Sequence, residues 1–593
     1  MYGGSNVSDV LQQYRKAADP IPGEMQAWQV YGAGMENVGR DGHPESIPVP
    51  EPGPGEILVR IDANGLCFSD IKIIKQGETH PRIRGRNLRL EPIIIGHETA
   101  MTVVTVGQGL EGRFRVGDRF IVQADVFYHG TGLAFGYVLP GGLEQYCLVG
   151  KEILDGDEGC YLLPLKPETG YAEAALTEPW ACVEASYRVG HRANVKDGGS
   201  MLLYRSGGAK LGDYQYEGLG RSARVLVNDA ADSSAEKARL SATTHGIDYI
   251  SIADDPDWDA ILQQHTGGER FDDAIFLGTP TPEVFEAIAA RMNKNGMLCV
   301  ISDTPLARPV SIDVGRVHYE NIVYAGTTSK KVVDAYTTRG TELTPGGWTW
   351  IVGAGGPMGQ MHLQRAVEDP HGPSTIVATD LDLTRLQTLK DRFSKGAEAR
   401  GVSLHLFNPN AMEKGDFDAQ VERITGGKGF DEVCVMVPVP AVISDASRFL
   451  GSGGGMNIFA GVGIGTMAVL DLSGVWQKRQ RYWGSSGSSI ADLRVMLEKT
   501  ETHQVITNNS VAAIGGMNAA RDGLQGLTEA RFPGKTVIFP QFPDLPLTAL
   551  TDLHNVLPNV AAKLQDGKFW CKDAEEELLR TYLSREAGQP DAA

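Results

Sequence analysis

Four residues of this 593-residue chain could do metal chemistry together: Cys67 in GLCFSD, His97 and Glu98 in IIIGHETA, and Glu178 in ALTEPWACVEA. A thiolate, an imidazole and a carboxylate are good ligands for a borderline-soft ion such as Zn2+, and three protein ligands leave a fourth position open for water or substrate. That open position separates a catalytic zinc from a structural clip. Taken singly, each residue has a plainer reading: a buried core thiol, a satisfied histidine, a surface acid. Their order along the chain, with a glycine-rich loop downstream, favours the shared metal site.

The downstream loop is GAGGPMG, Gly353 to Gly359, between the apolar TWIV and the helical HLQRAVED. A strand, a glycine turn and a helix start let the backbone approach a pyrophosphate and aim a helix N-terminus at it. Gly353, Gly355, Gly356, Met358 and Gly359 therefore form the candidate cofactor loop, with Ala354 standing at the first glycine position of the fingerprint. About 20 residues on, STIVATD ends a strand at Asp380, whose carboxylate can accept hydrogen bonds from a ribose 2′-hydroxyl and repel a 2′-phosphate. This favours NAD over NADP.

The elements that must position these groups are legible as pattern. From about Gln26 to Pro164 short apolar runs (EILVRIDANG, AMTVVTVGQG, GDRFIVQ, EQYCLV) are separated by Gly, Pro and Asp, the signature of an all-β, barrel-like domain. At Tyr171 the period changes to helical in AEAALTEPWACVEASYRV. Two α/β segments follow and resemble each other. Phe271 and Phe430, like Gly296 and Gly455, are 159 positions apart, and Gly326 and Gly484 are 158 apart. So constant an offset indicates duplication of a whole domain, each copy reading as a mainly parallel sheet covered by helices.

The copies are unequal. The first has Gly207, Gly208 and Gly212, but only 13 positions separate Gly212 from Val225, against 17 from Gly359 to Ile376. Little room is left for a phosphate-facing helix, although Asp229 matches Asp380. The first copy therefore reads as one that has lost the cofactor and pairs with the second, imitating within one chain a contact that related enzymes make between subunits.

Composition narrows the function classes. A net charge of −19 repels phosphodiester backbones and anionic lipid, so nucleic acid is not an expected partner. No run of about 18 apolar residues occurs, and no apolar stretch follows a basic cluster at the start, so neither a membrane span nor an export signal is expected. Seven cysteines without a C-x-x-C pair point away from a disulfide framework and toward a reducing, cytoplasmic setting.

With GLCFSD, GHE, the GDRF strand, GGLEQY, LTEP and GAGGPMG in this order, the chain resembles the medium-chain zinc-dependent alcohol and polyol dehydrogenases. GYVLPGGLEQY, EPWACVEASYR, VPAVISDASRFLGSGGGMNIFAG and GSSGSS resemble the sugar-phosphate branch containing L-sorbose 1-phosphate reductase. The resemblance implies an α/β fold: a GroES-like β-barrel catalytic domain plus two tandem Rossmann-like doubly wound domains. The corresponding division is an extension at 1–24, the catalytic domain at 25–194, Rossmann-like copies at 195–340 and 341–495, and a C-terminal return segment with a helical tail at 496–593. The tail SREAGQPDAA is expected to fray.

The resemblance also implies roles. Cys67 and His97 would bind one catalytic zinc with Glu178 as third ligand. Glu98 would exchange with water at the fourth position or sit just outside, and Ser69 would relay the substrate proton. Cys182, one helical turn beyond Glu178, is the competing ligand, and Asp70 would be structural. No four-cysteine lobe follows GDRF, so no structural zinc is expected. The implied reaction is hydride transfer between NAD and a secondary hydroxyl of a polyol, sugar or sugar phosphate, in a protein compatible with a homo-oligomer. Transient use of bound NAD for epimerisation or elimination, and a non-catalytic dinucleotide sensor or scaffold, are the alternatives. A basic loop with Arg82, Arg84, Arg86 and Arg89 is either a solvated face or a receiver for a substrate anion.

Overall fold

The structure is a computed structural model describing residues 7–83, 85–229, 248–413 and 415–586. The chain divides into two compact units, Met1–Glu184 with Gly487–Ala593, and Ala185–Ser486.

The first unit is built on an eight-stranded sheet. Its order is Leu162–Pro164, Arg119–Val122, Glu98–Val106, Ile57–Gly65, Lys535–Phe539, Val511–Gly516 and Thr548–Ala549, with Tyr146–Val149 also paired to Ile57–Gly65. Every residue of Ile57–Gly65 is buried, so its polar members must find partners inside; Arg60 Nε lies 2.8 Å from Asp62 Oδ1. The antiparallel register ends at Gly65↔Glu98, and Leu66 N–H donates to Thr536 O at 2.9 Å. Three strand ends thus meet where the candidate ligands stand. The N-terminal helix Val7–Arg15 packs on the C-terminal helix Lys572–Glu586, with Arg15 Nη2 2.8 Å from Glu576 Oε1. That C-terminal helix carries order through Glu586, further than the expected fraying at Ser584; residues 587–593 lie outside the described ones.

The second unit holds two six-stranded, all-parallel sheets of one topology. The first runs Asp248–Ser251, Arg224–Val227, Ser200–Arg205, Phe271–Leu277, Met292–Ile301, Val323–Thr327. The second runs Ser403–Phe407, Thr375–Thr379, Trp348–Val352, Phe430–Val435, Leu450–Ile458, Arg481–Trp483. Strand order 3-2-1-4-5-6 is the doubly wound arrangement, and even the register shift recurs, at Phe271/Asp273 and at Phe430/Glu432. The copies join through an antiparallel ladder in which Val310 faces Leu470 and Asp313 faces Met467. The first residue of each strand meets the last of its counterpart, so the ladder has local two-fold symmetry, as between identical subunits.

The inequality of the copies lies in their first halves. After Trp348–Val352 the second has the helix Pro357–Glu368, whereas after Ser200–Arg205 the first has only the 3-10 turn Leu211–Asp213. Tyr214, Tyr216, Val332 and Tyr336 fill a core cluster with the strands there. Asp229 is buried and Oδ2 accepts hydrogen bonds from Tyr249 (2.6 Å) and Ser251 (3.1 Å), so this carboxylate is committed internally.

Candidate active site

Strand Ile57–Gly65 leads through Leu66 to Cys67, the N-cap of helix Phe68–Gln76. The cap is reciprocal: Cys67 N–H donates to Asp70 Oδ2 at 2.9 Å, which fixes the start of the helix. The other oxygen, Oδ1, lies 3.4 Å from His97 Nδ1. Asp70 therefore reaches beyond its own loop: its charge lies against the imidazole whose Nε2 is turned toward Ser69, where a carboxylate can orient a ligating histidine. Ser69 Oγ donates to Cys67 Sγ at 2.9 Å and lies 3.2 Å from His97 Nε2.

Donor atoms of Cys67, His97 and Glu98 all lie within 4.8 Å of one another. Glu98 is fully buried, and its backbone neighbour must be small: a Cβ on Gly65 would come within 2.1 Å of Glu98 Oε2. Glu98 Oε1 receives a hydrogen bond from Lys535 Nζ at 2.5 Å, while the same ammonium donates to Leu66 O at 2.8 Å. Glu98 Oε2 is buried with no hydrogen-bond partner. An orphaned carboxylate oxygen beside a thiol and an imidazole is a donor set that suits zinc.

Glu178 and Cys182 fall outside this converging trio. Glu178 is buried and Cys182 half-buried, both on helix Thr177–Ser186, with Cys182 Sγ 3.9 Å from Glu178 Oε1. Burial, helped by the charge of Glu98 and opposed by His97, pushes the Glu178 carboxyl up to about 7; burial pushes the Cys182 thiol far above the ordinary thiol range. Burial alone would lower the His97 pKa, but Asp70 and Cys67 outweigh it and hold it well above the ordinary imidazole value. Cys67, His97 and Glu98 thus form the tight trio, with Glu178, which the resemblance gives as third ligand, near enough for His97 and Glu98 to act on its charge.

Two neighbours escaped the sequence reading. Lys535 heads the otherwise apolar KTVIF strand, and a lone lysine at the mouth of a buried strand was the available signal. Tyr137 packs its ring 5.8 Å from that of His97, with the Arg82 guanidinium 5.1 Å over its face. Arg82 pairs with Asp125 and Arg86 with Glu91, so two members of the basic loop are already neutralised. Arg84 lies outside the described residues.

In the second unit the candidate cofactor loop is shaped by its glycines. Gly353 has φ +78°, which favours glycine, and a Cβ there would meet Val437 Cγ2 at 2.6 Å. A Cβ on Gly359 would meet Gly353 O at 2.5 Å, so the helix can sit this close to the strand end only without one. Gly356 is the N-cap of Pro357–Glu368 and has open space around it; Met358 is half-buried in the first turn. Gly355 N–H donates to Asp380 Oδ2 at 2.9 Å. Asp380 thereby ties the loop to the neighbouring strand end and keeps Oδ1 for the Asp382 N–H at 3.0 Å.

Among the described residues no helix is long and apolar enough to cross a membrane. Residues 53–155 match the alcohol dehydrogenase GroES-like domain. The chain is 22% identical to L-sorbose 1-phosphate reductase of Klebsiella pneumoniae over 91% of this chain and 95% of that one. It is 28% identical to mannitol-1-phosphate 5-dehydrogenase of Aliivibrio fischeri, over 49% and 72%, and 28% identical to sorbitol dehydrogenase of Gallus gallus, over 33% and 54%. Among solved structures, an alcohol dehydrogenase from Thermotoga maritima aligns at TM-score 0.50 with 13% identity, covering 87% of this chain and 99% of that one; at that identity the likeness is one of fold.

Proposed function

We propose, from the premise that this chain belongs to the medium-chain dehydrogenase/reductase superfamily and is an oxidoreductase, that it transfers hydride between NAD and a secondary hydroxyl or ketone of a polyol, sugar or sugar phosphate with the help of one zinc ion. The observation that carries this reading is the convergence of Cys67, His97 and Glu98 within 4.8 Å, with the Ser69 hydroxyl against two of them. The names of the sugar-phosphate and polyol relatives support the substrate class.

When bound, zinc would polarise the substrate oxygen and lower its pKa, and NAD would accept or supply the hydride. Cys67 Sγ, His97 Nε2 and the free Glu98 oxygen are the donors that would hold the metal. Asp70 orients His97 through Nδ1, and Lys535 fixes the other oxygen of Glu98. Ser69 Oγ holds the proton that leaves or joins the substrate hydroxyl, because it is the hydroxyl in hydrogen-bond reach of both candidate ligands. Glu178, whose buried carboxyl is pushed up to about 7, would be the group to exchange that proton onward. The loop Gly353–Gly359 would receive the pyrophosphate at the helix N-terminus, with Asp380 toward the ribose.

The test is metal content by elemental analysis on the wild type and Cys67→Ala, with NAD titrated on the same samples. Zinc near one per chain, lost in the variant while NAD still binds, is the expected result. A folded wild type that binds NAD and takes up no zinc overturns the mechanism.

A further inference from the structure

Where the last strands of the two copies face each other, a pocket of about 370 Å³ opens within the second unit. One wall is Val323–Thr327 with Asp334, and the other is formed by the end of helix Ser473–Gln477 and the turn after it together with Arg481. It is lined by Arg339, Arg479, Arg481 and His191.

These three arginines have no carboxylate partner among the described residues. Arg339 donates to the carbonyls of Arg479 and Gly453, and Arg481 to those of Arg339 and Val189 (2.8 Å). Carbonyl dipoles satisfy N–H groups without neutralising the charge. Burial and the mutual repulsion of the guanidiniums push the Arg481 pKa down to about 10, and Arg339 is lowered in the same way. Asp334 is the one acid on the lining. In a chain of net charge −19, a partly buried triple-arginine cluster is a destabilising concentration of positive charge unless an anion completes it.

Arg479 adds an independent observation. It sits at φ +57°, just past a helix end, where glycine or asparagine is the usual residue. The first copy keeps Asn321 at φ +50° at its counterpart, one residue past helix Val314–Glu320. The second copy thus carries a strained arginine where its duplicate has the ordinary residue, and that arginine is the exposed member of the pocket's cluster. Residues held in such sparsely populated conformations cluster at binding and active sites.

We infer that this pocket binds a small phosphorylated metabolite through its phosphoryl group, held by Arg339, Arg479 and Arg481 and bridging the two copies. Guanidinium forks match phosphoryl oxygens in geometry as well as charge. The site is separate from the one proposed for hydride transfer and needs neither zinc nor NAD.

The experiment is calorimetric titration of the full-length protein with pyrophosphate and with inorganic phosphate, on the wild type, Arg479→Asn, Arg479→Gly and Arg82→Ala. Arg479→Asn restores the first copy's residue, and both substitutions at 479 relieve strain, so folding is retained and melting temperature is expected to hold or rise. The expected result is binding by the wild type and Arg82→Ala, weakened about tenfold or more in both Arg479 variants. Wild-type binding that is unchanged by Arg479→Asn, or a folded wild type that binds neither probe at millimolar concentration, overturns the inference. Loss in Arg82→Ala with retention in Arg479→Asn assigns the anion to the loop before His97 and equally overturns it.

Discussion

Lys535 Nζ lies 2.5 Å from Glu98 Oε1, joining residues 437 positions apart in a pair whose side chains are 4% and 0% exposed. Removal of one member of a buried pair leaves an uncompensated charge, at a cost of about 3–5 kcal/mol. Lys535→Met should lower unfolding free energy by about 3 kcal/mol in urea titration, and Lys535→Met with Glu98→Gln should recover most of that. Equal instability of the single and double variants would mean that lysine packing, not charge, dominates.

The metal assignment separates Glu98 from Glu178. Glu98→Ala should lose zinc on dialysis, with affinity down by about 100-fold or more, whereas Glu178→Gln should keep it and lose turnover. The reverse pattern in zinc analysis would restore Glu178 as third ligand.

Ser69 touches both Cys67 Sγ and His97 Nε2 without being needed to hold a metal. Ser69→Ala should therefore keep zinc and reduce kcat by roughly 10²-fold, the ordinary worth of a proton-transfer group, while KM changes little. Unchanged kcat in steady-state assays would remove Ser69 from the proton path.

Asp380→Asn retains an oxygen for the Gly355 N–H while deleting the charge that would repel a 2′-phosphate bound there. Fluorescence titration should show the affinity for NADP relative to NAD rising by about tenfold. A preference that does not move would show that Asp380 serves only to tie the loop.

Glu144 gives a pH prediction away from the site. It is 3% exposed, Oε1 lacks a partner, and burial pushes its carboxyl up to about 8. Between the ordinary value of 4.5 and about 8 the folded state holds the extra proton. Stability must then fall as pH rises through that window, by up to roughly 1.4 kcal/mol per pH unit, and level off above it. Glu144→Gln should flatten this dependence in denaturation measured from pH 5 to 9.

Much of this molecule follows from sequence because its signals are local. Cys67, Ser69 and Asp70 lie within one capped turn, GAGGPMG is a contiguous strand-to-helix device, and the constant offset of 158–159 residues announces two copies of one domain. The short interval from Gly212 to Val225 was enough to foresee the missing helix of the first copy, since a chain that brief cannot make three turns and return to the sheet.

What tertiary structure decided depends on pairs far apart in the chain. No local rule brings Lys535 to Glu98, sets Asp70 on the far nitrogen of His97, or leaves Glu178 outside a trio it matched in chemistry. Likewise, each of Arg339, Arg479 and Arg481 reads as an ordinary surface cation until the fold gathers them around one pocket with a single acid, Asp334, on its lining. Residue types and short spacings determine which chemistry is available; strand register and packing determine which groups share it, because ligand distances and charge balance are properties of the folded space between segments.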